Sequence, residues 1–164
     1  MKALVVYDSI HGNTKALATA IGDTIGADAR VVRAADATLS DLHVIDLLII
    51  GSPTHGGRPT PATLQFLRSV PTHVLGKIDV ATFDTRLAEA DQALWLRVLM
   101  KAIGNAAPRI ARSLRAGGGR LAVPPEGFIV EGKEGPLRQG ELERVRGWAA
   151  AILRAMALAE PRAA

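Results

Sequence analysis

Cysteine is absent from the 164 residues. That removes thiolate nucleophiles, disulfides, zinc–thiolate sites and iron–sulfur clusters as possible chemistry. Aromatic side chains make up only 4% of the chain, too few for the stacking platforms on which single-strand nucleic-acid binders rest their bases. No uncharged apolar run approaches the ~20 residues needed to span a bilayer; Leu47-Leu48-Ile49-Ile50 has the length of a strand. Lys2 leads directly into Ala3–Tyr7 and a polar turn, without the h-region of a secretory signal, so a cytoplasmic protein with no membrane association is expected. The four histidines, His11, His43, His55 and His73, are dispersed without metal-ligand spacing, and no metal is expected.

What is present points to one folded domain. An apolar fraction of 48% with 22% charged residues is that of an ordinary globular chain. Residues 1–159 are expected to form the domain and 160–164 a frayed tail. The net charge is +4 and the pI about 10.0. A solvated arginine-rich surface accounts for this, as does a field for an acidic partner or anionic ligand. The basic residues look scattered along the chain, so nucleic-acid binding is not expected.

Strand and helix periodicities alternate. Ala3–Tyr7 is a continuous apolar run, as in a parallel strand buried on both faces. Leu17, Ala18, Ile21 and Ile25 share one face of a helix over Asn13–Ile25 that ends near Gly26. Arg30–Arg33 reads as an edge strand, Leu47–Ile50 as the most deeply buried one, and Ile78–Phe83 as the fourth. Between the last two, Thr60 and Pro61 have the N-cap and first-turn chemistry of a helix reaching Ser69. Helices are predicted over Leu87–Ile103 and Pro108–Arg115, then a fifth strand at Leu121–Val123, with a possible resumption at Phe128–Val130. Pro124–Gly140 reads as a long surface loop, and Leu142, Val145, Ala149, Ile152 and Met156 mark a terminal helix. Five strands with intervening helices imply an α/β, three-layer, doubly wound parallel sheet. Such sheets bind ligands beyond the carboxyl ends of their strands.

Polar residues gather in three of the loops at that edge. The first, Asp8-Ser9-Ile10-His11-Gly12-Asn13-Thr14, offers hydroxyls, a glycine without a Cβ and the N–H groups of a helix start, the parts of a phosphate cradle without lysine. A side-chain-capped turn explains the same residues. The second, Gly51-Ser52-Pro53-Thr54-His55-Gly56-Gly57-Arg58-Pro59, has paired glycines between prolines, suited to a backbone passing close to a flat ligand. In the third, Thr82-Phe83-Asp84-Thr85-Arg86, an aromatic, an acid and a base end a strand, and a local Asp84–Arg86 ion pair explains that equally.

Ser9-x-x-Gly12-Asn13-Thr14 between strand and helix resembles the phosphate loop of the flavodoxin family. Gly51-Ser52-Pro53-Thr54-x-Gly56 is similar to the family's flavin-carrying loop, and Phe83-Asp84-Thr85-Arg86 sits where its second ring-contacting loop lies. The resemblance spans Lys2 to about Leu158 and implies a flavodoxin-like sheet of order 2-1-3-4-5 with flavin mononucleotide (FMN) as cofactor. It implies that Ser9, His11, Gly12, Asn13 and Thr14 hold the phosphate. Pro53, Thr54, His55, Gly56 and Gly57 would line one side of the isoalloxazine, and Phe83, Asp84, Thr85 and Arg86 the other. Arg58 or Arg86 near the ring would favour anionic reduced flavin, and Asp84 would oppose it.

The sequence departs from the family in two respects. Neither ring loop has the Trp or Tyr with which flavodoxins commonly sandwich the flavin, leaving His55 or Phe83 as substitutes. The chain is basic where many flavodoxins are acidic. Trp95, in an apolar stripe with Leu94, Val98 and Leu99, suits packing, a dimer interface or a flavin-covering lid. Competing sites fail on residues: the first loop lacks Gly-x-Gly-x-x-Gly and the chain lacks Gly-Lys-Ser/Thr and Gly-x-Ser-x-Gly. A receiver's acidic pair and a tyrosine phosphatase's cysteine are missing too. No catalytic side chain is identified; His11 and His55 are the only candidate proton donors beside the loops. The resemblance implies an electron carrier serving a redox partner protein. Its alternatives are an NAD(P)H-dependent reducer of small quinone-like acceptors and a non-redox interaction module, each as monomer or homodimer.

Overall fold

The computed structural model describes residues 1–88 and 104–159. Its centre is a parallel sheet in the order β2-β1-β3-β4-β5, with β1 at Ala3–Tyr7, β2 at Ala29–Arg33, β3 at Leu47–Pro53, β4 at Asp79–Leu87 and β5 at Arg120–Leu121. Ala3 stands opposite both Ala29 and Leu47, and Leu47 opposite Asp79, so the strands start level and their carboxyl ends share one edge. β1 and β3 are central, and their residues from Ala3 to Val6 and Leu47 to Ser52 are buried. Peripheral β2 has no buried residue, with Arg30 and Arg33 exposed and the rest half-buried. This is the predicted architecture and strand order.

Successive strand residues point to opposite faces, and two cores result. Val5, Ile49 and Phe83 pack on one side against Leu17 and Ile21 of α1 (Asn13–Ile25) and Val145, Trp148 and Ile152 of α5 (Glu141–Leu158). Leu4, Val6, Leu48, Ile50 and Val80 face the other way. There they meet Phe66 of α2 (Pro61–Ser69), Leu75 of the short α3 (Thr72–Leu75), and Ile110 and Leu114 of α4 (Ala106–Ala116). Each large apolar side chain so buried contributes about 1.5–3 kcal/mol. The Thr60 cap is as predicted: its side chain accepts from the Thr63 amide at 3.4 Å, with Pro61 in the first turn. Among the described residues no helix is long and apolar enough to cross a membrane.

Three expectations need correction. β4 continues to Leu87, four residues beyond Phe83, because β3 pairs with it as far as Pro53↔Thr85 and a further strand extends along its outer side. Leu87 therefore ends a strand and does not start a helix. Residues 89–103, with Trp95, and residues 160–164 lie outside the described residues, as do the expectations placed on them. The expected resumption at Phe128–Val130 is a separate sixth strand that starts two residues earlier and shortens the stretch read as loop: β6, Glu126–Val130, runs beside β4 from Phe83↔Glu126 to Leu87↔Val130. It resumes the line of β5 on the same edge after an interruption containing Pro124 and Pro125, which have no N–H to give a ladder. Phe128 anchors β6, its ring edge-on to Phe83 and Trp148 at 6.2 and 6.1 Å. Arg144 lies over its face at 4.4 Å.

Candidate functional site

The β1–α1 turn is built around Gly12. The Gly12 amide donates to Ser9 Oγ at 3.1 Å, and Gly12 itself takes φ +88° as N-cap of α1. L-residues with a Cβ resist that backbone by about 1–2 kcal/mol. No side chain caps the helix, which disposes of the capped-turn explanation. The amides of the first turn, which have no intrahelical acceptor, face the carboxyl edge of the sheet together with the partial positive charge of the helix start. No protein atom lies within 4 Å of where a Gly12 Cβ would project.

A narrow cleft of about 60 Å³ opens beside this turn, lined by Ser9, His11, Asn13 and Thr14 from the first loop and by Pro53, Thr54 and His55 from the second. Thr85 closes it from β4. At its base the Thr14 and Thr85 hydroxyls meet at 3.0 Å, buried, tying α1 to β4. The second loop is held at three points. Thr54 N donates to Thr85 O at 2.8 Å, Thr60 N donates to Ser52 Oγ at 3.0 Å, and His55 and Arg58 exchange backbone bonds of 3.0 and 3.1 Å. The last pair closes a two-residue hairpin in which Gly56 and Gly57 take φ +54° and +74°. A tight turn with two positive φ values demands such residues. The glycine pair thus aims the exposed His55 at the rim of the cleft.

The third loop is a strand, and its residues divide by parity. Thr85 faces α1 and the cleft, but Phe83, two positions before it, is 0% exposed beneath Gly51, whose Cβ would sit 2.0 Å from its ring. Phe83 belongs to the core with Trp148 and offers no face to a ligand. Asp84 points to the opposite side and is also 0% exposed. Its carboxylate takes both Arg86 Nε at 2.6 Å and Arg86 Nη2 at 3.0 Å, and accepts the Ala107 amide at 2.8 Å. Thr54 Oγ1 accepts the neighbouring Ala106 amide at 2.9 Å. Asp84 and Thr54 therefore cap α4 from the strand ends. Burial raises the Asp84 pKa above its ordinary value of 3.8, against the opposing pull of Arg86, the Ala107 amide and Thr54. The ion pair is the plainer of the two sequence readings of this stretch, and it occupies the charges expected beside a ring. Arg86 lies flat over Gly127, leaving no room there for a Cβ.

Three cleft residues, Ile10, Val130 and Lys133, were not among the expected site residues. Val130 lines the cleft from the end of β6 and Lys133 from the β6–α5 connection, which is held against α1 by Asn13 Nδ2 donating to Glu134 O at 2.9 Å and by Gly135 packed on the Asn13 carboxamide. The connection leaves the sheet at its carboxyl edge, where a topological rule alone points to it. Ile10, 56% exposed, adds an apolar rim. With Asp8 paired to Arg33 at 3.3 Å and Asp84 to Arg86, the Lys or Arg side chain lining the cleft among the described residues is Lys133. Among the described residues no Trp, Tyr or Phe lines the cleft, and no cluster of His, Asp and Glu suits a metal ion.

Comparison with known proteins agrees with this geometry. The sequence matches the flavodoxin domain over residues 4–122, while no curated protein matches it. A flavodoxin from the domain Archaea superposes with a TM-score of 0.73 at 22% identity, covering 95% of this chain and 99% of that one. Oxidised flavodoxin 1 from Bacillus cereus gives 0.72 at 18% identity, over 94% and 98%. The rubredoxin oxygen:oxidoreductase of Desulfovibrio gigas gives 0.72 at 17% identity, but the 95% of this chain that aligns spans only 36% of that protein. At these identities the solved structures establish the fold. The family match, extending over most of the chain, establishes membership: the protein belongs to the flavodoxin family, whose cofactor is FMN.

Proposed function

We propose that this protein is an FMN-dependent electron carrier that holds the cofactor's phosphate at the start of α1. The observation that carries the reading is the helix start itself: an N-terminus with Gly12 in a left-handed conformation, no capping side chain, and hydroxyls on either side. Charge-assisted bonds from backbone amides to an anion are worth about 1.5–3 kcal/mol each. The amides of the first turn of α1 bind, Ser9 keeps the Gly12 peptide oriented, and the exposed Lys133 supplies a cation that the fold leaves unpaired among the described residues.

FMN, when bound, supplies one- and two-electron transfer. The chain's own part is to seat and shield it. The Thr14–Thr85 pair fixes the spacing of α1 and β4, the 55–58 hairpin presents backbone and an imidazole at the rim, and Ile10 excludes water from the mouth. A carrier needs no proton-transfer residue, and among the described residues no buried acid or base lines the cleft: Asp8 is paired with Arg33 and Asp84 is turned to α4. The protein's partner in this reading is another redox protein.

Titration of the apoprotein with FMN, followed by flavin fluorescence, tests the proposal. The expected result is saturable one-to-one quenching; absence of saturable uptake overturns it. Mixing the loaded protein with NADPH in a stopped-flow cell then separates carrier from reductase. The carrier reading expects the flavin to stay oxidised, and direct reduction assigns the quinone-reductase alternative.

A further inference from the structure

The basic residues that look scattered along the sequence are gathered in the fold. Segments 53–78 and 104–125 contain Arg58, Arg68, Lys77, Arg109, Arg112, Arg115 and Arg120 and not one Asp or Glu. The rest of the chain is therefore net acidic, although the whole is +4. The helices of both segments, α2, α3 and α4, form the layer on one side of the sheet, while Arg120 lies in β5. Arg120 pairs with Asp79 at 2.7 Å. Arg58, Arg68, Lys77, Arg112 and Arg115 are exposed and have no carboxylate partner among the described residues.

The arginines flank apolar grooves. One groove of about 340 Å³ has Pro59, Leu64 and Leu67 along it, with Arg58 and Arg68 at its sides. A second, of about 530 Å³ on the other flank of α4, combines Leu121 and Pro125 with Arg112 and Arg115. The first runs up to the hairpin whose other arm, His55, borders the cleft. Side chains that pack a partner's apolar groups between guanidinium groups suit a protein surface of carboxylates around a few apolar residues. Nucleic acid fits less well, because the described residues of this layer expose no Trp, Tyr or Phe on which a base could stack.

We propose that the α2–α4 face is the docking surface for an acidic protein partner, placed to bring that partner against the cleft. That the partner is an electron donor or acceptor rests on the function proposed above; the docking itself does not. Opposite charges at such a surface accelerate encounter and are screened by salt.

The test is titration of the isotopically labelled protein, with and without FMN, using three probes: poly-L-glutamate, an acidic plant-type [2Fe–2S] ferredoxin and a DNA duplex. Amide shifts are expected in the 55–58 hairpin, α2 and α4. Both acidic polypeptides should bind more tightly than the duplex, and affinity should fall steeply with salt. Arg68→Glu combined with Arg112→Glu should weaken both acidic probes about tenfold or more. Arg154→Glu on α5, exposed on the opposite layer, should change little. FMN affinity should be the same in all three proteins, which separates this result from the fate of the cofactor proposal. Failure of both acidic probes to bind, shifts spread over both layers, or an equal effect of Arg154→Glu would overturn the assignment. Tighter binding of the duplex would replace it with a nucleic-acid surface.

Discussion

Replacing Gly12 with valine separates a phosphate cradle from a mere turn. At φ +88° a β-branched residue is strained, and the backbone must either bear about 1–2 kcal/mol or rotate out of the left-handed region. The new side chain touches no protein atom at its Cβ, so no packing loss adds to that figure. Urea denaturation of the apoprotein should therefore show a stability loss of about 1–2 kcal/mol and no more. The effect on FMN should be larger. Rotation misdirects the amides of the first turn, and the side chain projects into the space a ligand would use. Losing one charge-assisted amide bond of about 1.5–3 kcal/mol weakens FMN by roughly 10- to 150-fold. Riboflavin, which has the ring but no phosphate, should bind the variant and the parent alike. Parallel calorimetric titrations with the two flavins decide the matter: equal weakening for both, or for neither, refutes the cradle.

Three further outcomes follow from the buried and exposed charges around the site. Asp84→Ala should cost about 3–5 kcal/mol, because it strands Arg86 and uncaps the Ala107 amide, whereas Asp84→Asn with Arg86→Gln should be milder; chemical denaturation measures both. Since burial raises the folded-state pKa of Asp84 above 3.8, the folded protein binds more protons than the unfolded chain just above that value. Stability relative to Asp84→Asn should thus decline as pH rises through that window. An opposite slope would show that Arg86 outweighs desolvation. Lys133→Ala should weaken FMN a few-fold at low ionic strength, in keeping with an exposed charge worth about 0.2–1 kcal/mol. It should leave riboflavin affinity and folding stability unchanged; an equal loss for riboflavin would remove Lys133 from the phosphate.

The central strands and the places of the first two loops were legible because they depend on local patterns: unbroken apolar runs for β1 and β3, and small residues where strand meets helix; the sheet order followed from the family resemblance. The end of β4 was not legible. Thr82-Phe83-Asp84-Thr85-Arg86 has a single apolar residue and reads like a solvent-facing strand end, and only pairing with β3 and β6 makes it part of a largely buried strand. Once the strand extends, alternation sends Phe83 into the core and Asp84 towards α4, so two residues expected beside a ring are elsewhere. Lys133 lay more than 110 residues from the loop it joins, with no local signal. The arginine face was invisible for a similar reason. Its two acid-free segments are separated in sequence by β4, and only the crossover to one side of the sheet unites them.

The caps that Thr54 and Asp84 place on the start of α4 have a consequence for variation. The chain that leaves β4 at Leu87 is obliged to come back to those same strand ends by Ala106, whatever lies between. Departure and return are fixed by different bonds from those that set the sheet's register. A change at Thr54 or Asp84 therefore loosens the start of α4 while leaving the backbone ladder between β3 and β4 in place.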